Sequence, residues 1–312
     1  MDTNKHKISV LTAQPTKDPK EKLKEWENML VGKDIHSIRN QIYDMIRDCA
    51  FFRCIKESRK YAAKDDKGDI KQNRMIHYFI IQSFFKTQLL SIRRLTDKRS
   101  DVYSLYRLIK DIKKNSAILT RKNIFAVHNL PYDYEKARAE FDKNADYTQG
   151  FVIEPPEIAL SIDIHRRIDS VAGISADKRS HDDLVPDNIL KQFEDKRKEI
   201  EELCEYVNKF IAHAATPESR KTINDDEIEG ALGKILSAHR IICETASFIG
   251  NNLLFCGFGS VLHISQYGQF DQFDLFEYHD EPICSKETIE KLRQVWEEYR
   301  KKTEQWCNQL YK

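Results

Sequence analysis

Apolar residues recur along most of this chain at three- and four-residue spacings, the repeat that sets them on one face of an α-helix. Leu23, Trp26 and Leu30 form the first stripe. Asp18-Pro19 opens it as an N-cap followed by proline at the first helical position, and Gly32 closes it. The second stripe, Ile38, Ile42, Met45, Cys49 and Phe52, predicts a helix capped by Asp34 and running to about Ala63. Lys64 to Asp69 reads as a charged loop around Gly68. A third helix, over about Gln72 to Thr96, is apolar on most sides (Ile76, Phe79, Ile80, Phe84, Leu89, Ile92, Leu95), which places it at the centre of the fold. Asp101 is expected to cap a shorter helix with Val102, Leu105, Leu108, Ile109 and Ile112 on its inner face.

Shorter helical pieces follow near 121–129 and 132–145. Gly150 to Pro156 predicts a loop holding one extended trio, Phe151-Val152-Ile153. A helix is expected over 157–171, then a polar connector from Gly173 to Val185. Pro186 starts a long charged helix that ends at Ala212-His213. Asn224-x-x-Glu227 has the form of a capping box and opens a helix with Ile228, Leu232, Ile235, His239 and Ile242 on one side. Gly250-Asn251 is expected to stop it. Residues 256–284 mix glycines, aromatics and acids and read as irregular structure or a small hairpin. Ser285 begins a last helix with Ile289, Leu292, Trp296, Tyr299, Trp306 and Leu310.

The pattern is that of an all-α protein, a multi-helix bundle with helical insertions and a small irregular segment near 256–284. The expected organisation is a disordered tail over 1–17, a helical bundle over 18–254, and the irregular segment with a C-terminal helix packed on the bundle over 255–312. Ten glycines and eight prolines in 312 residues are too few for a turn-rich β fold.

Charge changes the picture only locally. The formal net charge is +1, so the whole chain favours no charged partner. Between Lys86 and Lys122, however, eleven Lys and Arg face three Asp, while Gln266 to Glu281 carries five acids and neither Lys nor Arg. The basic block either meets phosphates, packs against that acidic segment or simply solvates a helix face. Seven cysteines with no CxxC pair and no regular spacing point to a reducing compartment. The first residues lack the apolar core of a secretory leader. His77, Gln82, Lys86 and Gln88 interrupt the most apolar window, so no membrane association is expected and the location reads as cytoplasmic. His239 and Cys243 lie one turn apart, but no second pair with ligand spacing accompanies them. No metal and no cofactor is expected.

The stretch with the most chemistry is Val207-Asn208-Lys209-Phe210-Ile211-Ala212-His213. Leu203, Val207, Phe210 and Ala214 share one narrow stripe that should face the core. Lys209 and His213 sit one turn apart on its polar edge. An imidazole held there beside a cation suits acid–base work on a phosphodiester. It equally suits a histidine that caps its own helix.

Asn208-Lys209-Phe210-Ile211-Ala212-His213 resembles the signature of HEPN domains, helical bundles whose motif is Arg, four to six residues, then His, often written Arg-Asn-Lys-x-x-Ala-His. Ser91-Ile92-Arg93-Arg94-Leu95-Thr96-Asp97 and Val102 to Ile109 are similar to the central helix, and the helix after it, of the abortive-infection branch of that superfamily. The resemblance spans roughly 30–215. It implies an HEPN-like bundle that pairs as a homodimer, with two motif helices facing a shared cleft, in a prokaryotic defence or toxin-type system. It also implies metal-independent cleavage of RNA, with His213 and Asn208 as the catalytic pair, and a protein partner or antitoxin. Where the family carries its phosphate-holding arginine, this chain has Val207. Lys209, Arg93 and Arg94 are the cations available to replace it. For the two arginines the competing expectation is an ion pair with Asp97. Without any replacement, the resemblance implies an inactive scaffold or partner-binding relative.

Overall fold

The computed structural model describes residues 18–61, 64–68, 70–71, 74–145, 150, 152–206, 231–266, 268–271 and 286–308. Within them the chain is an all-α multi-helix bundle, with eleven α-helices and no β-strand among the described residues. They are α1 Pro19–Val31, α2 Ile38–Ser58, α3 Arg74–Leu95, α4 Leu105–Lys114, α5 Arg121–His128, α6 Tyr134–Asn144, α7 Pro156–Ala172, α8 Asp187–Lys198, α9 Glu201–Tyr206, α10 Ala231–Phe248 and α11 Lys286–Asn308. The expectations for 1–17, Phe151, Asn224, Glu227, Ile228, residues 272–285 and Leu310 fall outside the described residues.

Helix α2 is the pillar of the core. Ile42, Met45, Ile46 and Cys49 are fully buried, and α1, α3, α10 and α11 all pack on it. The Phe52 and Phe84 rings stack at 3.8 Å and fasten α3 to it, and the Arg53 guanidinium lies 4.9 Å from the Tyr299 ring of α11. Helix α1 is tied to α4 by the Trp26 indole, which donates to Asp111 at 2.8 Å. Asp18 caps α1 as its sequence predicts, accepting from the Lys20 N–H. Gly32 ends it for a steric reason: a Cβ there would lie 2.3 Å from the Asn28 carbonyl oxygen.

Helix α3 departs from its expected place. Phe84, Leu89, Ile92 and Leu95 are buried, but Met75 and Phe79 are 81% and 70% exposed. The buried residues of α3 lie in its C-terminal half, and α2 takes the central position. The caps also shift. Asp34 closes a turn by accepting the His36 N–H, and α2 begins after Ser37. Helix α4 begins after Ser104, whose hydroxyl accepts the Arg107 N–H, not after Asp101. Over its described part, to Tyr206, the long helix expected from Pro186 is broken at 199–200 into α8 and α9.

Gly250-Asn251 does not stop α10. The chain continues through a wider π-helical turn, Ile249–Leu253, in which the Leu254 N–H reaches the Ile249 carbonyl at 2.9 Å. A side chain at 250 would crowd Phe258 and Leu30, so glycine lets this turn press against α1. Residues 256–266 and 268–271 are irregular, with no hairpin among the described residues. The Phe270 ring packs edge-on against Trp296.

A second, smaller core joins α5 and α7 through Ile124, Phe125, Ile164 and Ile168. Beside it lies a polar network the sequence pattern did not announce. Arg121 is fully buried. Its Nε donates to Asp183 at 2.9 Å, its Nη2 to Asp169 at 2.8 Å, and its Nη1 to Nδ1 of His165 at 2.8 Å. His165 then donates from Nε2 to the Tyr132 carbonyl, which fixes a neutral imidazole. Burial opposes charge on Asp169, but the Arg179 and Arg121 guanidiniums outweigh it and hold the carboxyl below its ordinary range.

Candidate functional site

Arg93 and Arg94 close the last turn of α3. Ile92 and Leu95, both fully buried, anchor that turn, so the two arginines are carried by a rigid element. Arg93 approaches Asp97 at 3.7 Å, the ion pair that its sequence neighbourhood allowed. Asp97 also accepts the Arg99 N–H at 3.0 Å and the Arg99 guanidinium at 3.1 Å. Burial alone would raise the Asp97 carboxyl. The Arg99 N–H and the guanidiniums of Arg93 and Arg99 outweigh burial and lower it.

Arg94 has different company. Its Nη2 lies 3.3 Å from Nδ1 of His36. A guanidinium only donates, so Nδ1 is the accepting atom of this contact. His36 is itself fixed by its backbone: its N–H donates to Asp34 at 2.7 Å and its carbonyl accepts from the Gln41 amide at 2.6 Å. The same amide reaches the Tyr103 carbonyl at 2.8 Å. These contacts draw the 34–41 turn and the 97–103 loop together over the end of α3. Between them lies an open groove of about 400 Å³ whose lining includes His36, Arg94, Asp101 and Tyr103.

The end of α3 also packs beside α9. The Thr96 hydroxyl and the Cys204 thiol are 3.1 Å apart, and Lys98 pairs with Glu201 at 3.4 Å. Helix α9 is the described start of the stretch that continues into the Asn-Lys-x-x-Ala-His motif. Val207, Asn208, Lys209 and His213 themselves lie outside the described residues.

Part of the basic block of 86–122 is paired with acids within the fold. Arg99 binds Asp97, Lys98 binds Glu201, Lys113 binds Glu194, and Arg121 binds Asp169 and Asp183. His239 sits fully buried on α10 with Nδ1 3.2 Å from the Tyr299 hydroxyl, and burial lowers its pKa to about 3. No group of three or more residues able to hold a metal ion occurs among the described residues. The six described cysteines are free thiols. No helix among the described residues is long and apolar enough to cross a membrane.

The residues that sequence reasoning missed are His36, Gln41 and Tyr103. They lie 53 or more positions before Arg94, or nine after it, and share no helical face with it. Only folding brings them to one groove. Comparison of the chain with protein-family models, curated proteins and solved structures returned no match.

Proposed function

We propose that this chain is an HEPN-like protein of a prokaryotic defence or toxin-type system, acting as a metal-independent endoribonuclease through His213. The observation that carries the reading is the packing of α9 against the end of α3. The helix that leads into Asn208, Lys209 and His213 runs beside the helix that ends in Arg93 and Arg94. In this reading His213 moves the proton of an RNA 2′-hydroxyl, Asn208 orients the strand, and Lys209 with Arg94 holds the phosphate in place of the arginine that Val207 displaces. Arg94 suits that task better than Arg93, because Asp97 already engages Arg93. Losing one preorganised donor at such a site costs roughly a hundredfold to a thousandfold in rate, so a substitute cation decides whether activity survives.

Val207 also favours a second reading, a catalytically inactive HEPN-like scaffold. The exposed apolar residues Met75, Tyr78 and Phe79 on α3 support it, since such patches mark contact surfaces for a second copy or a protein partner. Incubation with tRNA in EDTA, beside a His213→Ala control, separates the two. Cleavage abolished by the substitution supports the enzyme, and equal cleavage by both proteins removes it. Val207→Arg then reports on the scaffold: a gain of cleavage reveals an intact site that had lost one residue.

A further inference from the structure

The outer half of α3 is an apolar tip set in a basic surround. Met75, Tyr78 and Phe79 recur at three- and four-residue spacing over its first two turns, so they share one face. They are 81%, 66% and 70% exposed, and Ile76 beside them 43%. We infer that this tip is a docking surface for an anionic lipid membrane, with the apolar side chains entering the headgroup layer and the surrounding lysines and arginines meeting lipid phosphates. Charge argues for the anionic surface. Helix α3 holds no Asp or Glu. Lys86 is exposed on the same face, two turns beyond Phe79. From Lys56 to Lys86, eight Lys and Arg stand against four acids, and one of those acids, Glu57, is occupied by Lys60. A bridge between Lys64 and Ile70 folds the charged loop back on itself. Ile70 lies four residues before Arg74, a reach of at most roughly 14 Å, so the loop stays beside the start of α3. Lys64 and Lys67 are exposed on it and carry no ion pair among the described residues. Arg59 adds charge at the same end, where burial first and its guanidinium second lower the pKa of His77. Asp65 and Asp66 in the loop reduce this field without reversing it.

Shape argues for lipid over protein. A side chain that lines a groove for a partner helix is covered on its flanks, whereas Met75 and Phe79 stand out from the surface. A fluid bilayer needs no matching surface. Apolar side chains on one helix face sink to the boundary between headgroups and acyl chains, while long basic side chains stay at the phosphates. Tyr78 has the kind of ring that settles at that level, apolar in its body and polar at its tip. His77, Gln82 and Lys86 led to the expectation of no membrane association, because they interrupt the most apolar window. That interruption bars a helix from crossing a bilayer and leaves it able to lie on one. The inference is independent of RNA cleavage at His213, and it assigns to lipid the patch that the scaffold reading gives to a protein.

Co-sedimentation of the full chain with phosphatidylcholine vesicles, prepared with and without phosphatidylglycerol, tests this. The chain should pellet with the anionic vesicles, stay in solution with the neutral ones, and be released by salt. Met75→Ser combined with Phe79→Ser should weaken the partition by roughly ten- to a hundredfold. Lys64→Gln combined with Lys67→Gln should weaken it by roughly ten- to thirtyfold, and Lys64→Arg with Lys67→Arg, which keeps the charge, should retain it. All four side chains are exposed, so the variants fold, which circular dichroism verifies. Failure of the wild-type chain to bind anionic vesicles, equal binding to neutral ones, or binding that neither the serine nor the glutamine pair changes, overturns the inference. A chain that ignores vesicles but elutes as a dimer, and becomes a monomer with the serine pair, overturns it too and gives the tip to a second copy. None of these variants alters His213 or Arg94, so RNA cleavage by the same proteins reports separately.

Discussion

Arg121→Met is the sharpest perturbation the fold offers. The wild-type guanidinium is fully buried and contacts three side chains, Asp169, Asp183 and His165, at 2.8–2.9 Å. Asp169 and Asp183 are themselves only 13% and 7% exposed at the side chain. Methionine matches the length of the aliphatic stem but leaves two carboxylates facing each other with one cation, Arg179, beside Asp169. Breaking a buried ion pair by removing one partner costs about 3–5 kcal/mol. The small core it supports has four fully or nearly buried residues, Ile124, Phe125, Ile164 and Ile168, too few to absorb that loss. The α5–α7 lobe should therefore open before the main bundle does. In native-state hydrogen exchange, amides of Arg121–His128 and Pro156–Ala172 should exchange roughly two to nearly four decades faster, since about 1.4 kcal/mol is a factor of ten. Amides in α2 and α11 should change little. Exchange within tenfold of wild type in the lobe would refute the claim that this network holds it. Equal acceleration in α2 would refute its independence from the main core.

Acid should weaken the fold through two histidines. Burial lowers the pKa of both His165 and His239, the latter to about 3, whereas in the unfolded chain each titrates near 6.5. Stability is then fully present above about pH 6.5 and falls as pH drops below it, by up to about 1.4 kcal/mol per pH unit for His239 alone, so urea midpoints that stay level from pH 7 to pH 5 contradict this account. Burial raises the thiols of Cys49 to about 11 and of Cys54 and Cys256 to about 12. At pH 8 a disulfide reagent should label them only once guanidinium unfolds the chain, and prompt labelling of Cys54 in the native protein argues against its burial. Gly32→Ala places a Cβ against the Asn28 carbonyl and should cost about 1–3 kcal/mol, read as a lower urea midpoint; an unchanged midpoint means the turn relaxes freely.

Helix stripes were legible because each depends on residues three and four apart. Leu23, Trp26 and Leu30 are buried where their spacing puts them, and Asp18-Pro19 caps α1. What failed to show were choices made by distant parts of the chain. Asp34 and Asp101 look like caps as well as Ser37 and Ser104 do, and only the path of the preceding loop selects between them. The outer half of α3 reads as core because its composition is apolar, yet Phe79 is 70% exposed. Gly250 reads as a stop, but the close approach of Phe258 and Leu30 uses its missing side chain to carry the helix onward. The Arg121 network joins residues 44, 48 and 62 positions apart, a separation at which no local pattern survives. The groove at Arg94 is of the same kind: Arg93 and Arg94 stood out as candidates, but His36 and Tyr103 become neighbours of Arg94 only when α2 and the 97–103 loop meet.

The seam between α2 and α11 sets an order of events during synthesis. Cys54 donates to the Leu292 carbonyl across 238 positions of chain, and the Arg53–Tyr299 contact spans a similar interval. A ribosome adding about 5–20 residues per second needs roughly 12–50 s to make the second half of that seam after the first has emerged. Throughout that interval the apolar flank of α2 has no permanent cover. Until then α1 and α3 are the earlier helices that pack on α2, and the interior is finished only when α11 arrives.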